Sequence, residues 1–472
     1  MSDRHQENPH KQGTHSENMG KQVLHRSSLS GESIHNESAH KEAVRHEHRH
    51  RDPVRSEDPH VETGHRENSH KEKVHKEEIH RESPKKDHPE MDIVNNEVMT
   101  GTEKAAKKSK KKKSARSEGN REIYFDVLRI AAIVLVLFSH TEGYELYGQC
   151  ETGSFLYGLY MMFSIAALCG PLIFFMISGS LLLPKEEPLS VLWKKRIFRI
   201  FSVLLVFTLL YYISDIMAGR DEINVFTFLG DLYAKERVEP LWYMYSYLGI
   251  LICLPFLRPM AQNMKDRDFI YLLSMAVILK VILPEIEEKI FLGRFSLNSS
   301  FHIEWILVST VLYPLAGYYI HNRLKREHAI KLLPIVWVVN IIVMIVIACN
   351  TAYYTTYVES VKVYTNYLSW GTYINTIAIF LTAKVLFGGK AHSDKTVKVL
   401  SSIAGCTFGI YLIHPAVLDR ITFFGKVKDA IFGSVEGPAM IGPELLWITV
   451  LFVVCFIPTW LIRRIPFMRK WL

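Results

Sequence analysis

Asp126, Arg129 and His140 lie within one otherwise apolar run, residues 124–140. An Arg or Asp at the centre of a bilayer-crossing helix costs roughly 2.5–3.5 kcal/mol on insertion scales. A run that keeps three ionisable groups is read as a functional helix. Arg129 and His140 are eleven residues apart, about three turns, so they share a face roughly 16 Å apart along the axis. Asp126 is one turn before Arg129 and can pair with it. An imidazole titrating near neutrality suits a general base for an alcohol. Arg129 suits a phosphate or carboxylate, or is locked by Asp126. The structural alternative is an Arg that snorkels to headgroups and a His that caps the far end. Arg129 sits several residues into the span, which weakens that alternative.

Five further groupings carry polar chemistry in apolar surroundings. Arg196 and Arg199 follow Trp193-Lys-Lys at the start of a span. One turn apart, they are expected to project together and fork onto phosphates, with simple membrane anchoring as the alternative. Ser178-Gly179-Ser180 allows close helix approach. Trp242 and Tyr243 follow Pro240-Leu at the start of another span, where an interfacial aromatic belt is the plainer reading. His414 stands late in the apolar run Phe408-Gly-Ile-Tyr411-Leu-Ile-His414-Pro415. His302 and Glu304 open a further span, and an intramembrane Glu is expected to have a partner.

The elements that must position these groups are membrane helices. Residues 121–472 hold nearly all the aromatic residues and repeat apolar stretches of about 20 residues, the length that crosses a hydrocarbon core. Backbone facing lipid must satisfy its own hydrogen bonds, so the expected fold is an all-α, polytopic helical bundle. Ten spans are expected, near 122–141, 156–183, 197–217, 241–259, 268–285, 302–321, 331–350, 367–388, 399–418 and 444–463. The second is long enough to tilt or to break near Gly170-Pro171. Lys and Arg cluster in alternate loops and after the last span, which predicts that both termini are cytoplasmic in a multi-pass cell-membrane protein. The six cysteines have neither metal-ligand nor disulfide-framework spacing, so no metal centre is expected from them.

Residues 1–120 form a separate region with almost no aromatic residues and a five-residue unit ending in His. A period of five matches neither helix nor strand, and no core can offset ordering entropy, so the tail is expected to be disordered. Its imidazoles offer weak binding of Zn²⁺, Ni²⁺ or Cu²⁺. A low-complexity repeat with no site is the other reading. The formal net charge of +8 does not imply a nucleic-acid partner. Its surplus sits largely in the Lys-rich run 107–116, placed where it can touch anionic headgroups.

Together these residues resemble the acyltransferase family 3 membrane proteins, the O-acyltransferases of bacterial surface polysaccharides and related molecules. The matching features are Phe125-Asp126-x-x-Arg129 with Arg-x10-His ending at His140, Phe174-Phe-Met-Ile-Ser178-Gly179, Arg196-x-x-Arg199, Leu241-Trp242-Tyr243, and Tyr411-Leu-Ile-His414-Pro415. They cover about residues 121–465 in the family's order. The resemblance implies an acyl-CoA co-substrate, usually acetyl-CoA, no tightly bound cofactor, and a glycan or glycolipid hydroxyl as acceptor. It makes His140 the expected general base, with Asp126 or a neighbour setting its field. Arg129, Arg196 and Arg199 would recognise anionic donor groups, and Trp242, Tyr243, Glu304 and His414 would line the pocket. The rival classes are a secondary transporter, which also needs buried charge, and a metal-sensing scaffold acting through the tail.

Overall fold

The computed structural model describes residues 122–289, 294–301, 307–357 and 370–471. The tail (1–120), His302 and Glu304 lie outside the described residues. Among the described residues all regular structure is helical. In chain order the helices used below are α1 (Ile123–Ser139), α2 (Phe155–Ala167), α3 (Cys169–Leu182), α4 (Leu189–Met217), α5 (Val225–Ala234), α6 (Trp242–Asn263) and α7 (Asp266–Val277). They continue with α8 (Ser309–Tyr318), α9 (Arg326–Tyr357), α10 (Trp370–Phe387), α11 (Asp394–Asp419), α12 (Thr422–Phe432) and α13 (Ile441–Ile462).

Six helical segments are long and apolar enough to cross a bilayer: α2 with α3, α4, α6, α9, α11 and α13. Counting α1 with the bent 3-10 turn after it gives seven. The sequence reading expects ten, and length and composition support fewer for identifiable reasons. The expected span 268–285 is helical, but α7 opens on Asp266, Arg267 and Asp268 and its continuation reaches Glu285, Glu287 and Glu288. The expected span 302–321 is described only from residue 307, where α8 and a π turn (Tyr319–Arg323) supply a shorter helix. The expected span 367–388 corresponds to α10, whose apolar stretch is a shorter helix, Gly371–Phe387. Exposed Val338, Ile341, Ile342 and Ile345 on α9, and Val206, Leu209, Leu210 and Ile213 on α4, suit contact with lipid. These apolar helices mark a multi-pass membrane protein.

The break in the second span has a local cause. Pro171 has no N–H to give the carbonyl of Ala167, four residues earlier, and its ring crowds that oxygen. The helix ends at Ala167, and Leu168 joins it to α3.

Helix α1 sits at the centre and packs against α3, α10, α11 and α13. Ala132, Ile133 and Leu137 are fully buried in the main apolar core. A smaller apolar cluster joins α2 and α9 through Tyr157, Met161, Ile165, Val343 and Ile347. The tightest crossing is between α3 and α8. A Cβ on Gly179 would overlap the backbone of Pro314, and one on Gly317 would overlap that of Met176. The small-residue stripe therefore sets a backbone-to-backbone contact. Nearby, the Lys384 ammonium donates to the carbonyls of Ile320, His321 and Leu324 at the end of the α8 segment. It satisfies helix-terminal acceptors that have no intrahelical donor.

Because the atoms a new Cβ would meet are backbone, they cannot move aside as a side chain could. Gly179→Ala is expected to destabilise the bundle by about 1–3 kcal/mol. Thermal unfolding in detergent micelles, compared with Ser178→Ala as a neighbour control, measures it.

Candidate functional site

The site is built on the two ends of α1. At the start, Asp126 lies in the first turn and is fully buried, and its Oδ1 accepts a hydrogen bond from Arg129 Nη1 at 3.0 Å. The i,i+3 spacing brings the pair together, and the helix N-terminus favours the carboxylate. A buried carboxylate needs such a partner. The Arg129 side chain keeps 27% exposure against 1% for Asp126, so the guanidinium is the accessible member.

That guanidinium faces a cavity of about 250 Å³. Val136 of α1 shares its wall, Phe174 and Ser178 come from α3, and Arg199 comes from α4. Tyr243 and Tyr247 of α6, and Thr407, Phe408 and Tyr411 of α11, complete the lining. The cavity thus joins two guanidinium groups to a largely apolar and aromatic passage.

Arg196 is placed elsewhere. Its Nε donates to Glu187 Oε2 at 2.9 Å and its Nη2 to Oε1 at 2.6 Å. Arg258 Nη2 adds a third bond to the same carboxylate at 2.9 Å, and Arg258 Nε bonds the Leu182 carbonyl at 3.1 Å. Arg199 instead lines the cavity, and its Nη1 reaches the Lys470 carbonyl at 3.5 Å. The two arginines do not project together as their spacing suggests. Arg196 belongs to a π turn, Trp193–Ile197, whereas Arg199 lies in the α-helix beyond it. The wider turn changes the register that an unbroken α-helix would keep.

Tyr243 is buried rather than interfacial, which corrects the aromatic-belt reading for this residue. Its ring stacks on Phe175 at 4.9 Å and on Tyr247 at 5.9 Å, with Tyr411 edge-on at 5.5 Å. Trp242 packs edge-on against Phe175 at 6.4 Å and is not a cavity-lining residue. The Tyr411 hydroxyl donates to the Pro240 carbonyl, which fixes the start of α6 against α11.

At the other end of α1, His140 is the residue that closes the helix, with φ −111° and ψ 12°. The chain then bends by 58° into the turn Glu142–Gln149. The His140 ring lies 5.3 Å from that of His414, which is fully buried. The sequence around His414 explains its orientation. Pro415 cannot donate to the Tyr411 carbonyl four residues earlier. His414 Nδ1 lies 2.7 Å from that oxygen and donates to it. A carbonyl only accepts, so the bond places the proton on Nδ1 and leaves Nε2 as the acceptor of a neutral ring. Nε2 is buried with no partner among the described residues.

Glu444 on α13 was not singled out by the sequence reading. It is fully buried, and its Oε1 accepts from the hydroxyl of Thr141, the residue after His140. Its Oε2 has no partner among the described residues. Gly143 makes room for it, since a Cβ there would lie 2.7 Å from Oε1. The available signal was a carboxylate opening an apolar span, the same signal that marked Glu304. Asp126, by helical rise, is roughly 21 Å from His140, so it orients Arg129, and Glu444 is the carboxyl group beside the His140 end.

Tyr411 links the two ends. It lines the cavity, its carbonyl holds His414, and its ring lies 6.0 Å from the His414 ring. One side of the site offers guanidinium groups to an anion, and the other offers imidazoles and a carboxyl group to a protic group. Among the described residues no group of three His, Cys, Asp or Glu side chains could hold a metal ion.

Residues 122–464 match the model of the acyltransferase family 3, described as an acyltransferase domain. The chain belongs to that family. No curated protein matches it, and no solved structure matches it. Family membership makes this chain a membrane acyltransferase, with an acyl donor and an acyl acceptor. It agrees with the resemblance carried by Arg129, His140, Arg196, Arg199 and the Tyr411–Pro415 segment.

The Glu187 cluster yields a pH signature. Hydrogen bonds from Arg196, and then from Arg258, outweigh burial and hold the Glu187 carboxyl at about 2 against an ordinary 4.5. A depressed carboxyl contributes stability that is present above its unfolded value and is lost as pH falls through the folded one. Wild-type protein is expected to lose stability as pH drops from about 4.5 toward about 2, and Glu187→Gln to lose less over that window. Thermal unfolding across that window, on both proteins, is the measurement.

Proposed function

We propose that this chain is an O-acetyltransferase, moving an acetyl group from acetyl-CoA to a hydroxyl of a cell-surface glycan or glycolipid. The observation that carries the reading is the arrangement along α1. A guanidinium locked by a buried carboxylate faces a narrow cavity, and beyond it the imidazole that closes the same helix meets that of His414 on α11. A thioester donor needs both ends: cations for its phosphates, and a base near the reacting carbonyl.

In this reading Arg129 and Arg199 draw the anionic donor to one end of the cavity, and Arg196 holds the approach by fixing Glu187. Tyr243 and its aromatic neighbours wall the passage for the slender acyl-bearing arm. His140 takes the proton of the acceptor hydroxyl as its oxygen forms a bond to the thioester carbonyl carbon. The carbon–sulfur bond then breaks, and the leaving thiolate takes the proton back from the imidazolium. His414, fixed by the Tyr411 carbonyl, positions the first ring. Glu444 stands beside it to steady the charge that forms. Trp242 supports the aromatic wall. Cytoplasmic termini fit the distribution of Lys and Arg, which would put the donor end of the cavity on the cytoplasmic side.

His140→Ala is expected to reduce acetyl transfer at least about a hundredfold while the protein still extracts from membranes as a folded species. Glu444→Gln should lower it about tenfold or more, because a neutral amide cannot balance an imidazolium. Mass spectrometry of envelope glycans from cells carrying each variant reads the acetyl mass difference. Normal product from His140→Ala would remove the catalytic assignment.

A further inference from the structure

The cavity reaches toward the imidazole pair without including it. On α1 its lining residues are Arg129 and Val136. Seven residues separate them, so they share a face roughly 10 Å apart along the axis. On α11 the lining runs from Ala404 to Tyr411. His140 follows Val136 by four residues, and His414 follows Tyr411 by three. Each imidazole therefore lies about one turn past the last lining residue of its own helix. The two rings meet 5.3 Å apart, and neither lines the cavity. Val136 and Tyr411 stand where the cavity gives way to the imidazoles.

Both side chains are buried and stiffly held. Val136 is β-branched, and such a side chain has one strongly preferred rotamer in a helix. The backbone of α3 presses on it: a Cβ on residue 170 would lie 2.8 Å from Val136 Cγ2 and 2.7 Å from the Ala132 carbonyl. On that side Val136 has no room to retreat. Tyr411 is fixed at both ends. Its hydroxyl donates to the Pro240 carbonyl, and its own carbonyl holds His414. Its ring stacks with Phe408 at 6.4 Å and meets Tyr243 edge-on at 5.5 Å.

We infer that Val136 and Tyr411 set the length of the acyl group this protein transfers. The inference rests on the transferase reading, in which the donor enters from the Arg129 end. The acyl group leads the donor along the cavity, and its carbonyl carbon must come up to a hydroxyl held at His140. The carbons beyond that carbonyl then lie against Val136 and Tyr411. The arm behind occupies the cavity, so a longer chain cannot fold back into it. A methyl group fits such a place, and each added methylene meets a wall that cannot yield. Val136 and Tyr411 select by size and take no part in proton transfer.

The test is a competition in membranes from cells carrying the full chain, which hold its acceptor. Equimolar acetyl-CoA and butyryl-CoA are supplied, and the products on envelope glycans are read by mass spectrometry against membranes lacking the chain. Wild type is expected to favour acetyl. Val136→Ala should raise the butyryl-to-acetyl ratio about tenfold or more, since one methylene in an apolar site is worth about 10–200-fold. Val136→Ile should lower the propionyl-to-acetyl ratio when propionyl-CoA is the competitor. A product ratio does not depend on how much of a variant folds. Val134→Ala, at an exposed position two residues away, should leave both ratios as in wild type. Unchanged ratios in both Val136 variants overturn the inference, as does an equal shift in Val134→Ala or a wild type that uses butyryl-CoA as readily as acetyl-CoA. In those outcomes acetyl transfer still proceeds and the transferase reading stands. Absence of any transfer by wild type removes that reading and this inference together.

Discussion

An ionised or strongly polar group inside an apolar bundle must be answered by the protein itself, and the structure is organised by those answers. Asp126 meets Arg129 within one turn. Lys384 meets three backbone carbonyls at a helix end. Glu187 meets Arg196 and Arg258. Beyond α4, Arg237 bonds Asp215 at 2.9 Å, Asp221 at 2.6 Å and Asp231 at 2.9 Å, and Arg420 joins Asp215 at 3.3 Å. Removing one member of such a group leaves a stranded charge, which is costlier than never having had the pair. The pairs thus fix where neighbouring helices can sit.

Prolines extend the same logic to the backbone. A proline withdraws one donor and leaves a carbonyl open four residues back. At Pro171 the consequence is an interruption at Leu168 between α2 and α3, within one membrane-length span. At Pro415 the open carbonyl of Tyr411 is met by His414 Nδ1, which settles the ring's tautomer and orientation. A helix irregularity and a candidate site residue are therefore one feature. The motif Tyr411-Leu-Ile-His414-Pro415 has a mechanical reading: Tyr411 offers the wall and the acceptor, Pro415 exposes that acceptor, and His414 uses it.

The two ends of α1 differ in what they leave accessible. At Arg129 the carboxylate is buried and the guanidinium is open to a cavity. At His140 the neighbouring His414 and Glu444 are buried, each with one polar atom lacking a partner among the described residues. Buried polar atoms are seldom left so, and those that are mark places suited to a further hydrogen bond. A donor held by cations and an acceptor hydroxyl held by imidazole and carboxyl would meet along one helix, with Tyr411 between them.

Local chemistry made much of this legible in the sequence. Hydropathy gave a helical membrane bundle, and i,i+3 spacing gave the Asp126–Arg129 pair, because both depend only on neighbours along the chain. The stripe on α1 and the motif order pointed to the acyltransferase family. Span number was less legible, because hydropathy does not register where a helix stops or bends. The separation of Arg196 from Arg199 was hidden, since a π turn and a carboxylate nine residues away decide it. Glu444 was hidden for the same kind of reason: its partner Thr141 is 303 residues distant. The meeting of His140 with His414 likewise needs α1 and α11 packed side by side. Sequence fixes which groups are costly to bury, and only the packing of distant helices decides which of them share the cost.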